Sequence, residues 1–131
     1  MKEIIDVGLP ALKQPFSWAV KAPLHNTSTL FTAHGPVRPD GSINTGSVDE
    51  QARLTFANLR QAVHAAGGTM ADVTQVLIYM TDVQDMATID TVYREFFEPP
   101  YPNSSSAGAA ALVVPGMKLE IVAYAMVPQS A

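Results

Sequence analysis

The sequence predicts an α+β domain in which two helices cover one face of a single sheet. Two amphipathic helical patterns alternate with about five runs of β-branched, aromatic or small apolar residues, the pattern typical of strands. With only two helices, the simplest packing places both on the same side of the sheet. The 131 residues fit one domain, residues 1–131, and 47% hydrophobic against 15% charged residues allow a packed core.

The first two strands are predicted at 15–20 and 28–34, joined as a hairpin through the polar turn at 24–27. The sequence Pro39-Asp40-Gly41 predicts a turn, because proline fixes φ and glycine supplies a positive φ. A further short strand is expected around 42–43.

The first helix is predicted to begin at Ser47, with Glu50 completing a capping box. Apolar residues then recur at alternating spacings of four and three, which places them on one face of a helix. They are Ala52, Phe56, Leu59, Val63 and Ala66. Gly67-Gly68 is expected to end this helix.

A buried strand is predicted at 73–80, followed by a second helix with Asp85 as its N-cap. The apolar face of that helix comprises Met86, Ile89, Val92 or Tyr93, and Phe96. Pro99-Pro100 is expected to end it, because proline cannot continue a helix.

The last quarter of the chain is predicted to contain a turn-rich run at 100–108 and two strands, at 109–114 and 118–126, separated by Pro115-Gly116. The final strand is apolar on both of its faces. A sheet with one face in water should instead alternate apolar and polar residues. The pattern therefore predicts that another subunit covers the second face.

Composition excludes several classes of function. The chain has no cysteine, which rules out disulfides and thiolate chemistry. A net charge of −4 without a Lys/Arg cluster disfavours nucleic acid as a partner. No apolar run approaches the roughly 20 residues that span a bilayer, and the first six residues are too polar for a signal peptide. We therefore expect a cytoplasmic protein with no membrane partner and no cofactor.

Glu120 lies in the middle of the apolar last strand. A carboxylate in such surroundings is costly unless it is paired, hydrated or used. Two interpretations remain open: a structural carboxylate satisfied by loop amides, or a general acid/base.

Several short strings match the motifs of one protein family in the same order. Residues 14–20 (Gln-Pro-Phe-Ser-Trp-Ala-Val) are similar to Gly-Pro-Tyr-Ser-Gln-Ala-Val, and residues 89–97 are similar to Val-Asn-x-Val-Tyr-x-x-Phe-Phe. Residues 119–125 are similar to Val-Glu-Ile-x-x-x-Ala. The first helix carries further matches at Gln51, Asn58-Leu59 and Ala66-Gly67. Together with the order of strands and helices, these strings resemble the reactive-intermediate deaminase family (Rid, or YjgF) along its full length.

This resemblance implies a chorismate-mutase-like fold with one mixed sheet. It also implies a homotrimer with small-molecule sites in three clefts between subunits. Deaminating members hydrolyse the imine tautomer of a 2-aminoacrylate-type enamine to a keto acid and ammonia. In those members an arginine clamps the substrate carboxylate, and a glutamate of the last strand, here Glu120, is thought to handle the attacking water.

The sequence departs from the family pattern at the clamp. Aligned through Pro102, the arginine position falls on Ser104. The resemblance also identifies five other cleft positions at which this chain differs from the family: Phe16 replaces tyrosine, Trp18 glutamine, Ala33 glycine, His34 glutamine and Asp90 asparagine.

The resemblance supplies a set of candidate site residues. Glu120, with Asp90 or His34, is the candidate for acid/base chemistry. The candidates for substrate binding are Phe16, Trp18, Ala33, Ser104, Ser106 and Tyr124. Each has an ordinary structural alternative: Asp90 as a cap or a solvated helix residue, His34 as a packed residue, the serines as turn residues, and the aromatics as core. A metal site on Glu120, Asp90 and His34 is disfavoured, because no two lie at helical or hairpin ligand spacing.

Loss of the arginine removes a permanent charge and a bidentate donor, an interaction worth about 1.5–3 kcal/mol. Lys118 is the only cation in the last quarter of the chain. We therefore expect a Rid-like hydrolase or deaminase that acts on an imine, an enamine or a related C–N intermediate, with a neutral or cationic substrate instead of the common 2-iminoacids. The alternatives are a non-catalytic trimer that binds a small metabolite and, less favoured by the charge balance, an endoribonuclease.

Overall fold

The computed structural model of the chain describes residues 2–11 and 13–129. In chain order the elements are β1 (Glu3–Ile4), β2 (Val20–Lys21), β3 (Thr27–His34), α1 (Val48–Ala65), β4 (Val73–Met80), α2 (Met86–Phe96), β5 (Asn103–Gly108) and β6 (Leu119–Pro128). Single 3-10 turns, Met70–Asp72 and Val83–Asp85, precede β4 and α2. The predicted α+β class is confirmed.

The main sheet has four strands in the order β3-β6-β4-β5. It is mixed, because β4 and β5 run parallel while β6 is antiparallel to both of its neighbours. The two shortest strands, β1 and β2, form a separate antiparallel pair.

Both helices pack on one face of the main sheet, which we call the helix-covered face. The helical spacing predicted the buried side of α1 correctly, since Ala52, Phe56, Leu59 and Val63 are fully buried. From α2 the core receives Ile89, Val92 and Tyr93. From β6 it receives Leu119, Ile121, Ala123, Ala125 and Val127. Burying each large apolar side chain contributes about 1.5–3 kcal/mol, so this cluster is the main source of stability.

Gln51 fastens the start of α1 to the loop before β6. Its side-chain amide is fully buried and donates to the carbonyls of Gly46 (3.1 Å) and Gly116 (3.0 Å). Its side-chain carbonyl accepts from the Lys118 backbone N–H at 2.8 Å. Ser47 is the N-cap, as predicted, but its side chain makes no capping hydrogen bond, so the predicted capping box is wrong. The buried amide of Gln51 organises this helix start instead.

The predicted hairpin between 15–20 and 28–34 is also wrong. Only Val20–Lys21 forms a strand, and it pairs with Glu3–Ile4. The second predicted strand, β3, pairs over its whole length with β6. Residues 16–18 lie beside the start of β5 instead. There the Ser17 N–H donates to the Pro102 carbonyl, and the Asn103 amide donates to the Ser17 and Trp18 carbonyls.

The strand predicted at 109–114 is displaced by six residues. The strand is Asn103–Gly108, the run predicted to be turn-rich, and it pairs in parallel with β4. Its serines have low intrinsic β propensity, but the edge of β4 supplies partners for their backbone groups, and pairing outweighs propensity. The alanine-rich segment that follows forms no strand, and Val113 within it is 98% exposed.

The other face of the main sheet, which we call the free face, carries Phe31, Ala33, Tyr79, Glu120 and Tyr124. Register places them together: Glu120 lies opposite Tyr79, and Phe31 lies opposite Tyr124. Phe31 is 71% exposed. The last strand is thus apolar on both faces, as the sequence indicated. Within the described ranges, no helix is long and apolar enough to cross a membrane.

Candidate functional site

Ser104 and Ser106 face the helices. In the parallel pairing of β5 with β4 they stand beside Val76 and Ile78, which are buried in the core. Residues in register share a face of the sheet, so both serines point to the helix-covered face. They line a cavity of about 280 Å³ between α2 and β5, which we call the α2–β5 cavity. Its lining residues are Gln14, Pro15, Phe16, Met86, Asp90, Tyr93, Ser104 and Ser106.

The helix and the N-terminal segment shape the other walls of this cavity. Met86, Asp90 and Tyr93 lie four and three residues apart on α2, the spacing that places side chains on one helical face. Phe16 is held in place by its neighbour Ser17, whose hydroxyl donates to the Tyr101 carbonyl. The predicted site residues Phe16, Asp90, Ser104 and Ser106 are therefore brought together.

Asp90 is the one charged side chain among the lining residues that the structure describes. Burial raises the pKa of this carboxyl, and the positive charge of Arg94 partly opposes the effect. Arg94 itself is held outside the cavity, since its guanidinium donates to the Lys13 carbonyl (2.6 Å) and to the Tyr101 hydroxyl (3.4 Å). Asp90 is therefore a partly buried carboxylate in the cavity wall and does not cap a helix.

Tyr93 is the functional candidate that sequence reasoning missed. Its helical spacing placed it in the core, and it is 1% exposed, but its hydroxyl has no hydrogen-bond partner. Burial raises its pKa, the charges of Asp90 and Tyr101 raise it further, and the nearby hydroxyl of Ser104 lowers it without reaching hydrogen-bond geometry. A buried hydroxyl without a partner is costly, which makes it a candidate to bind a ligand group. The available signal in the sequence was a phenol on an otherwise apolar helix face.

Glu120 lies on the opposite side of the sheet from this cavity. It is partly buried on the free face, where it pairs with Tyr79 and lies two residues from Val122, the partner of Ala33. In the part of the chain that the structure describes, no ion pair involves Glu120. Phe16, a candidate for the same site, does not lie beside Glu120 within one subunit, because its ring lines the α2–β5 cavity.

Trp18 and Tyr124 line a second, shallower hollow together with Gln75 and Asn103. Trp18 is 41% exposed. Its ring packs edge-on against Phe16 with centroids 4.9 Å apart, and its N–H donates to the Pro10 carbonyl at 2.9 Å. Trp18 therefore connects the α2–β5 cavity to the Tyr124 side of the free face.

His34 is separate from both groups. It points to the helix-covered face beside α1, where it lines a hollow with Arg38 and Asn58. Its Nε2 lies 2.6 Å from the Thr32 hydroxyl, and burial lowers its pKa. Among the described residues, no three His, Asp or Glu side chains lie close enough to hold a metal ion. One subunit thus does not bring His34 together with Asp90 and Glu120.

Comparison with known proteins places this arrangement in a family. The model of the family described as Endoribonuclease L-PSP matches residues 9–127. The 2-iminobutanoate/2-iminopropanoate deaminase of Dermatophagoides farinae is 34% identical over 112 residues, which cover 85% of this chain and 86% of that protein. The chain belongs to the Rid (YjgF) family.

Solved Rid structures have the same fold. Escherichia coli TdcF with bound serine superposes with a TM-score of 0.69 at 34% identity, covering 86% of this chain and 92% of that one. RidA from an Antarctic Psychrobacter species gives a TM-score of 0.70 at 28% identity, covering 95% and 99%. The family and the fold that the sequence motifs indicated are both confirmed.

Proposed function

We propose that this Rid protein hydrolyses the C–N double bond of a small imine, or of the imine tautomer of an enamine, and that common 2-iminoacids are poor substrates. The observation that carries the proposal is the lining of the α2–β5 cavity. It contains the carboxylate of Asp90 and, among the described residues, no cation that could clamp a substrate carboxylate. The name of the Dermatophagoides farinae relative supports the reaction class.

The proposed active site lies between subunits of a homotrimer. Glu120 and the α2–β5 cavity occupy opposite faces of one sheet, so they cannot meet within a single chain. The free face carries exposed aromatic surface, with Phe31 71% exposed and packed edge-on against Tyr124 at 5.4 Å. A neighbouring subunit that covers this surface would bring its own α2–β5 cavity to Glu120. The intersubunit clefts implied by the family resemblance support this arrangement.

In such a cleft Glu120 takes a proton from water as the water oxygen attacks the imine carbon. Glu120 returns this proton to the nitrogen, so the C=N bond becomes a C–N single bond and a neutral carbinolamine forms. Glu120 then takes the carbinolamine hydroxyl proton and passes it to the nitrogen, the C–N bond breaks, and ammonia leaves as the carbonyl forms. The net reaction is imine plus water to carbonyl compound plus ammonia, and one carboxyl group serves as base and then acid.

Two other functions remain as alternatives. A trimer that only binds a metabolite would show saturable binding without product. RNA cleavage, which the family description mentions, is disfavoured by the net charge of −4 and by Asp90 in the cavity, since both repel a phosphate backbone. The cytoplasmic location and the lack of a cofactor stay predictions.

Turnover of oxidase-generated imines tests the proposal. Semicarbazide traps free imines, and an active enzyme competes with it. We expect imines without an α-carboxylate to be hydrolysed and 2-iminoacids to be hydrolysed poorly.

Replacing Glu120 by Gln should lower kcat by at least about a hundredfold, with the trimer retained in light scattering. The exposed Glu98→Gln serves as the control. Unchanged turnover in Glu120→Gln would refute the role of Glu120. Saturable binding without product in the wild type would favour the binding protein.

A further inference from the structure

We propose that the α2–β5 cavity binds an ammonium group, so that the substrates are imines of amines that carry a second, protonated amino group. The inference rests on the proposed function and names its substrate class. Where relatives with the arginine clamp hold a carboxylate, this chain would hold the opposite charge.

The charge of the cavity favours a cation. Asp90 is partly buried, and among the described lining residues it has no positively charged neighbour. Arg94, one turn further along α2, is engaged by the Lys13 carbonyl and the Tyr101 hydroxyl outside the cavity. It therefore neither neutralises Asp90 by contact nor replaces the missing carboxylate clamp.

The hydrogen-bonding groups of the cavity also fit an ammonium ion. An ammonium presents three donors and no acceptor. The cavity supplies the Asp90 carboxylate and the hydroxyls of Tyr93, Ser104 and Ser106. The Tyr93 hydroxyl is buried without a partner, so a ligand donor would satisfy it.

The remaining walls suit the carbon chain of such a ligand. Pro15 and Met86 are apolar, and Phe16 presents an aromatic ring on which a cation is favourable. The volume of about 280 Å³ is at the low end for ligand sites, which limits the occupant to a small amine.

The reaction sequence follows from the chemistry of this substrate. Oxidation of one amino group of a diamine, with a separate oxidant, supplies an imine at one end and leaves an ammonium at the other. Hydrolysis adds water across C=N and releases ammonia, which leaves an amino aldehyde. The enzyme would therefore act after an amine oxidation and before a step that consumes an aldehyde.

Binding of two probes of equal length tests the inference without turnover. The intact protein is titrated with n-butylammonium and with butyrate at equal ionic strength, and the backbone amide signals of Ser104 and Ser106 are followed by NMR. We expect n-butylammonium to bind at least tenfold more tightly than butyrate. Tighter binding of butyrate, or equal binding of both, would overturn the inference.

The variant Asp90→Asn restores the amide found at this position in the family and keeps the side-chain shape. It should weaken n-butylammonium binding at least tenfold. Asp85→Asn removes the same charge from the N-cap of the same helix, outside the cavity, and should leave binding unchanged. Unchanged binding in Asp90→Asn would also overturn the inference. Because neither probe is turned over, this failure is distinct from failure of the Glu120 chemistry.

Discussion

Asp90 is the residue on which the proposed specificity depends most, and its burial has a consequence for stability. Its folded-state pKa is raised, so the native state holds the ionised form less readily than the unfolded chain does. Ionisation of Asp90 therefore lowers the free energy of unfolding as the pH rises from the pKa of the unfolded chain through the pKa of the folded protein. In acid, where Asp90 is protonated in both states, this loss of stability disappears.

We therefore expect Asp90→Asn to be more stable than the wild type at neutral pH, by roughly a few tenths of a kcal/mol because the group is only partly buried. The difference should vanish below the unfolded pKa. Thermal melts at several pH values measure this effect. A variant that is less stable at neutral pH would show that the Asp90 carboxylate has a favourable partner in the folded protein.

A second residue-scale prediction concerns the missing clamp. The double variant Ser104→Arg, Asp90→Asn places a bidentate donor in the cavity and removes the repelling charge. We expect kcat/KM for 2-iminoacids to rise by at least about tenfold in the semicarbazide competition assay. Asp90→Asn alone is the matched control, because it removes the same charge without adding the donor. An equal gain in both variants would contradict the clamp assignment.

At the scale of elements, the sequence predicted the helices and long strands well because their patterns are strong. The buried face of α1 was predicted from the spacing of its apolar residues, and the bounds of β4 were predicted from its run of β-branched and apolar residues. The position of β5 was not, because serines and glycine become a strand only through the edge of β4. The role of Tyr93 was likewise hidden, since a sequence does not show that a buried hydroxyl lacks a partner.

Gln51 connects two elements, and its replacement tests that connection. Gln51→Ala leaves the Lys118 N–H and two loop carbonyls without their buried partner. We expect the free energy of unfolding to fall by about 2–3 kcal/mol in urea titrations. Gln61→Ala, on the exposed side of α1, should change it by less than about 0.5 kcal/mol. If both variants lowered the free energy of unfolding by the same small amount, Gln51 would not hold the start of β6.

At the scale of the whole molecule, β6 is apolar on both faces, which predicted that its second face is covered, and the structure leaves Phe31 exposed there. Phe31→Glu should dissociate the proposed trimer, because a charge on this face opposes burial against another subunit. Light scattering measures the mass. Leu24→Glu, at an exposed loop position before β3, should leave the trimer intact. A trimeric Phe31→Glu protein would place the interface elsewhere.

The central claim is that Glu120 of one subunit faces the α2–β5 cavity of another, and cross-linking tests it most directly. The chain has no cysteine, so Glu120→Cys with Ser106→Cys introduces the only two thiols. A short bismaleimide should join chains into covalent dimers and trimers on a denaturing gel, and neither single variant should form covalent trimers. Chains that remain monomeric, or that are linked only internally, would contradict the intersubunit site.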